Sequence, residues 1–279
     1  MKNIKNIVVA TDFSVTARHA YVYAKKLAKA LSAALTVVHV KENLMIASDV
    51  VILVSVEEDS QITSNIEQLI SEEKDGDNEL QEINIKILNG EPVKVLTELS
   101  KNNDTDLIVI GTTGLSDVLT KIFGSTSLKV SNKAHCPVIL VPRDVKWHAL
   151  EQIMFASNYD SMTSEFVQHI TDFVVGLNSN IHFVNVKNFD PLFEAKQKEI
   201  DWNKLTANDS ALQYEKHTIY GNDTVEQLKN YCEEKNIDLM VFVSKHRDFW
   251  ENLMHKSITE RIALFTTIPI MVMHVDDKQ

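Results

Sequence analysis

Apolar positions along the chain follow two spacings in alternation. Short β-branched runs at 4–11, 35–40, 83–88, 107–110 and 137–141 are separated by longer stretches with a helical period. That alternation predicts βα units and a mainly parallel sheet, so the fold class is α/β. The helical stretches fall at about 14–31, near 60–73, from 92 to about 101, and from near 125. Pro92 suits a first helical turn, where its missing N–H costs nothing. The stretch after the second strand is irregular and acidic, and its segment Glu72-Glu-Lys-Asp-Gly-Asp-Asn-Glu79 reads as an exposed loop.

The pattern occurs twice. Asp106-Leu-Ile-Val-Ile-Gly111 lies over Asp238-Leu-Met-Val-Phe-Val243 at an offset of 132, and the same offset carries Ser125 onto Ser257 and Pro137 onto Pro269 without a gap. Leu35-Thr-Val-Val-His-Val40 lies over Ile181-His-Phe-Val-Asn-Val186 at an offset of 146, which also carries Ile7-Val-Val-Ala-Thr-Asp12 onto Ile153-Met-Phe-Ala-Ser-Asn158. The second copy is therefore 14 residues shorter in its middle. Short apolar strands can align by chance, but the shared order and the matched Asp and Pro punctuation argue for duplication. Two tandem domains follow, at 1–143 and 150–279, which suits 279 residues at roughly 100–200 per domain.

Charge and composition narrow the classes. Lys and Arg total 28 against 39 Asp and Glu, a net charge of −11, which repels a duplex and argues against DNA or RNA as a partner. Two cysteines, Cys136 and Cys232, cannot build a disulfide framework and read as buried free thiols. Nothing at the N-terminus resembles a signal peptide, and no apolar run reaches the ~18–20 residues of a membrane span. The expectation is a cytoplasmic protein with no membrane contact.

Of seven glycines, three lie between Gly111 and Gly124. The segment Gly111-Thr-Thr-Gly114-Leu-Ser-Asp-Val-Leu-Thr-Lys-Ile-Phe-Gly124-Ser125-Thr126 follows a predicted strand and leads into a predicted helix. In an open parallel sheet, ligands sit beyond the carboxyl ends of the strands, where a helix N-terminus offers N–H groups and a positive dipole end. Glycine lets the backbone approach phosphate oxygens, and Ser125 and Thr126 add hydroxyls. Asp12 ends the first strand at the same sheet edge, where its carboxylate suits a ribose hydroxyl or an adenine amine. Each residue also has a plain structural account, with Gly111 and Gly114 as turn residues and Ser125 as a helix N-cap. No G-x-x-x-x-G-K-[ST] and no G-x-G-x-x-G after a strand occurs, which removes P-loop and dinucleotide readings.

The spacing Gly111-x2-Gly114-x9-Gly124-Ser125 resembles the nucleotide-binding signature of the universal stress protein family, and Val8-Val-Ala-Thr-Asp-Phe-Ser14 is similar to that family's first strand and acidic turn. The resemblance spans the chain as two tandem domains. It implies that each domain is an open, doubly wound, parallel five-stranded sheet of the adenine nucleotide alpha hydrolase-like type. It further implies ATP at the carboxyl edge, with Asp12 and the backbone of Val40 at the adenosine end and Gly111, Gly114, Gly124, Ser125 and Thr126 along the phosphates. The family also pairs domains through the final strand, so 137–141 and 269–274 would pair within one chain, or would help to build a homodimer.

The second half departs from this signature. Its positions for the three glycines hold Val243, His246 and Lys256, and its position for Asp12 holds Asn158. Side chains there crowd a backbone cradle, so the second domain is expected not to bind ATP in the family's manner. Ser244-Lys-His-Arg247 and His255-Lys256 form instead a basic cluster, either a solvated loop or a second anion or partner site. His39, one residue before Val40, could serve the pocket or be structural, and Trp147 and Trp250 suit a domain interface. No H-E-x-x-H or C-x-x-C occurs, so no protein-held metal is expected, and Mg2+ would come with ATP. The reading is a stress-response regulatory protein that binds ATP in its first domain and acts on an unidentified protein partner. A nucleotide-free scaffold and a slow ATPase are the alternatives, the latter without an identifiable catalytic residue.

Overall fold

A computed structural model describes residues 4–42, 58–73, 83–112, 125–143, 145–156, 170, 173–174, 177–187, 214–244 and 268–274. In chain order the elements are β1 (Asn6–Thr11), α1 (Val15–Leu31), β2 (Ala34–Lys41), α2 (Asp59–Glu72), β3 (Ile83–Asn89), α3 (Pro92–Leu99), β4 (Leu107–Thr112), α4 (Ser125–Lys133) and β5 (Val138–Pro142). There follow β6 (Gln152–Ala156), β7 (Asn180–Lys187), β8 (Tyr214–Tyr220), α5 (Thr224–Lys235), β9 (Leu239–Ser244) and β10 (Ile270–His274). The strands form one ten-stranded sheet in the order β3-β2-β1-β4-β5-β10-β9-β6-β7-β8. Pairing is parallel throughout each half. The α/β class is as predicted, and the two five-stranded runs are joined through their final strands, as the resemblance implied. β5 and β10 pair antiparallel, Leu140 opposite Ile270 and Val138 opposite Val272.

The repeat offsets reappear as geometry. β1 and β6, like β2 and β7, start 146 residues apart, while β4 and β9, like β5 and β10, start 132 apart. The length difference falls between β2 and β3 and between β7 and β8. The recurring Asp has a physical cause. One carboxylate oxygen of Asp106 accepts the backbone N–H groups of Lys5 and Asn6, both at 2.9 Å, and one of Asp238 does the same for Glu151 and Gln152, both at 2.9 Å. Each Asp in turn donates its own N–H to the strand it receives, to the Asn6 and Gln152 carbonyls. The recurring Pro offers its carbonyl to the neighbouring strand, Pro137 to Ile108 and Pro269 to Met240.

Successive side chains of a strand point to opposite faces, and both faces of this sheet are buried. Ile7, Val9, Leu107, Val109, Phe155, Phe183 and Val241 belong to one apolar cluster with α1 and α2. Val8, Ala10, Ile108, Leu140, Met154, Met240 and Val272 belong to the other with α3, α4 and α5. Helix starts are set by side-chain caps: Ser14 on Ala17, Glu91 on Val93 and Lys94, and Asp223 on Val225 and Glu226.

One loop expectation changes. Glu72 closes α2, and Glu72 and Glu73 both pair with Arg18 of α1, so the start of the acidic stretch ties two helices together. Trp147 lies edge-on to Tyr23 of α1 with ring centroids 4.9 Å apart, fastening the segment after β5 to the first half. Trp250 lies outside the described residues. Among the described residues no helix is long and apolar enough to cross a membrane.

Candidate functional site

After β1 the chain steps outward to β2 and β3, then returns to place β4 on the other side of β1. The order reverses between β1 and β4, the position where open α/β sheets hold ligands. The register runs Ile7–Leu107, Val8–Ile108, Val9–Val109, while β1 continues to Thr11 and β4 to Thr112. The two carboxyl ends therefore part. A cavity of about 510 Å3 opens between them, within the usual range for small-molecule sites. Asp12, Val40, Gly111 and Thr126 of the predicted set line it. Ser125 opens α4. Gly114 and Gly124 lie outside the described residues.

Two helix N-termini face this space. Ser14, Thr16 and Ala17 at the start of α1 and Thr126 and Ser127 at the start of α4 are in the wall, so two positive dipole ends converge on it. The turn between β1 and α1 is tightly held. Asp12 Oδ1 accepts the Ser14 N–H at 3.0 Å, and Thr11 Oγ1 accepts the Phe13 N–H at 3.1 Å. Phe13 has φ 63°, a left-handed conformation that costs a non-glycine residue about 1–3 kcal/mol. His39 braces it: the imidazole stacks on Phe13 with centroids 4.8 Å apart and donates Nδ1–H to the Thr11 carbonyl at 2.9 Å. His39 thus holds the turn and also lines the cavity.

Gly111 is not a turn residue. It is the fifth residue of β4, paired with Val141, and a Cβ there would sit 2.5 Å from the Thr16 carbonyl oxygen. The absence of a side chain lets the end of β4 approach the first turn of α1. Ser14, Thr16, Glu42 and Ser127 also line the cavity, though the sequence did not single them out for it. The predicted start of the first helix at residue 14 was the available signal for Ser14 and Thr16.

In the second half, Asn185 occupies the His39 position and is buried, and Val243, at the Gly111 position, lies in β9. Asn158, His246, Lys256, Ser257 and the rest of the basic cluster beyond Ser244 lie outside the described residues. Cys136 and Cys232 are both buried, and burial pushes each thiol up to about 12, so neither is a reactive thiolate at neutral pH.

A family model described as Universal stress protein family matches residues 3–142. A universal stress protein of Thermus aquaticus is 32% identical over 137 residues, 49% of this chain and 98% of that protein. Another from Methanocaldococcus jannaschii is 35% identical over 65 residues, so the match spans 38% of that relative's length and 23% of this chain. Among solved structures, a universal stress protein of Archaeoglobus fulgidus superposes with a TM-score of 0.64 at 15% identity, covering 98% of this chain and 97% of that one. That likeness extends the shared fold across both halves.

Proposed function

The chain belongs to the universal stress protein family, and from that premise we propose that its first half binds ATP as a regulatory ligand in the cavity between β1 and β4. The observation that carries this reading is the convergence of two helix N-termini, the side-chain-free backbone of Gly111 and the Asp12 carboxylate on one space. Asp12 and the Val40 backbone take the adenosine end. Gly111, Gly114, Gly124, Ser125 and Thr126 take the phosphates, which bring Mg2+ with them. The domain at 150–279 lacks the glycines and Asp12, and acts as a structural or regulatory partner to the one at 1–143. Nucleotide binding shifts the population of the loop at 111–124, and a protein partner in the cytoplasmic stress response reads that shift.

One observation favours a second reading. Packing against α1 is by itself enough to require glycine at 111, as it would in a nucleotide-free interaction module. Calorimetric titration of the nucleotide-stripped chain with Mg-ATP, and in parallel with AMP, separates the two. One site per chain, abolished by Gly114→Asp, is the expected result. Two sites per chain would overturn the assignment of the second half, and absence of binding would favour the module.

A further inference from the structure

On the face of the second half covered by α5, the fold brings together residues that no sequence motif connects. His182 of β7 lies opposite Glu215 of β8 in the strand register, and Val184 lies opposite His217. Residues two apart on a strand share a face, so His182, Glu215 and His217 stand together. One ligand atom from each lies within 4.8 Å of the others. We propose that these three side chains form a binding site for a divalent transition-metal ion of the zinc type.

The chemistry of the donor set supports this. Two imidazoles and a carboxylate suit zinc and its neighbours in the first transition row, and discriminate against Mg2+ and Ca2+, which prefer oxygen. His182 is 5% exposed and already oriented: its Nε2 bonds Gln152 Oε1 at 2.8 Å. An amide oxygen accepts, so Nε2 carries the proton and Nδ1 the lone pair. Tyr231 of α5 now donates its hydroxyl to that lone pair at 2.8 Å. A metal-bound histidine is held in this way, with its second nitrogen donating to a fixed carbonyl. Glu215 and His217 are in contact at 3.0 Å on an edge strand, and the Glu215 side chain is 63% exposed. Tetrahedral zinc at bonds of about 2.0–2.1 Å needs ligand atoms roughly 3.3 Å apart, so binding has to draw these three atoms in from a spread of up to 4.8 Å. A structural role explains a buried His182 with two partners, but it does not require a second histidine and a carboxylate with ligand atoms within 4.8 Å of it.

The first half provides the contrast. At the same register positions it carries Thr36 opposite Asn84 and, two residues on, Lys86, with Asn6 in place of Gln152 and Leu99 in place of Tyr231. The site is therefore particular to the half that has lost the glycine signature. The sequence expectation of no protein-held metal rested on motif spacing, and His182 lies more than thirty residues before the Glu215–His217 pair.

The test is a calorimetric titration of the tag-free, metal-stripped full chain with Zn2+, paralleled by the visible absorption of Co2+. One ion per chain and a tetrahedral Co2+ spectrum are expected. Affinity should fall by more than about tenfold in Glu215→Gln and in His217→Ala, with the far-ultraviolet circular dichroism of each variant unchanged; Glu215 is exposed, and His217 is half-buried at the edge of the sheet. Gln152→Leu should weaken binding and Gln152→Glu restore it, which a packing role for Gln152 would not produce. No stoichiometric binding, or equal affinity in the two ligand variants, overturns the proposal. Its outcome is independent of whether ATP binds the first half.

Discussion

Gly111 shows how a single missing methyl group places two elements. A β-carbon there would lie 2.5 Å from the Thr16 carbonyl oxygen and 2.7 Å from its carbon, both backbone atoms that cannot swing aside. Gly111→Val, which copies the residue at 243, therefore has to push the first turn of α1 away from β4. Overpacking of this kind costs about 1–3 kcal/mol. The expected result is a lower urea midpoint with an unchanged slope, accompanied by weaker Mg-ATP binding because the α1 N-terminus leaves the cavity wall. An unshifted midpoint would mean that the first turn of α1 yields without cost. The same residue marks a limit of sequence reading, since spacing identified Gly111 as special but could not distinguish phosphate approach from helix approach. His39 is a similar case. The strand pattern placed it beside Val40, but its stacking on the left-handed Phe13 is a tertiary relation that no pattern carries.

At the scale of elements, strands and helices were legible to within about two residues wherever local signals agreed. Ser14 and Pro92 marked helix starts, and the β-branched runs marked β2, β4 and β5. β1 begins two residues after its predicted start, at Asn6, whose N–H goes to the distant Asp106 carboxylate, a partner that no local pattern reveals. The cavity was half legible. Its strand-end positions could be inferred from βα order, but the parting of β1 from β4 beyond Val9 depends on the whole sheet's twist and topology. The zinc ligands were illegible because adjacency between β7 and β8 is made by the fold. The Asp punctuation yields a prediction in both copies at once. Asp106→Ala and Asp238→Ala each strand two backbone N–H groups at the head of a central strand, and hydrogen bonds to charged groups contribute about 1.5–3 kcal/mol. Each variant should lose stability in that range by chemical denaturation, and by similar amounts. A loss confined to one would mean that the two copies do not use the bond alike.

The molecule as a whole is closed at its centre and guarded at its margins. The outer strands β3 and β8 carry exposed charged positions, among them Lys86, Glu215 and Lys216, which discourage further strand addition. β5 differs: all five of its residues are buried, and it bears no charge. Its edge is acceptable because β10 covers it. A chain of residues 1–143 should therefore self-associate through β5, and sedimentation should find a dimer or larger species where the full chain stays smaller per domain. A monodisperse monomer of that fragment would show that the seam is dispensable. The seam also has a history within each molecule's synthesis. β5 leaves the ribosome 132 residues before β10. At the ~5–20 residues per second of translation, that leaves it uncovered for between about 7 and 26 seconds. During that interval the nearest matching strand can belong to a neighbouring nascent chain, so crowding of ribosomes on one message sets how often the first halves of two molecules marry each other before their own second halves arrive.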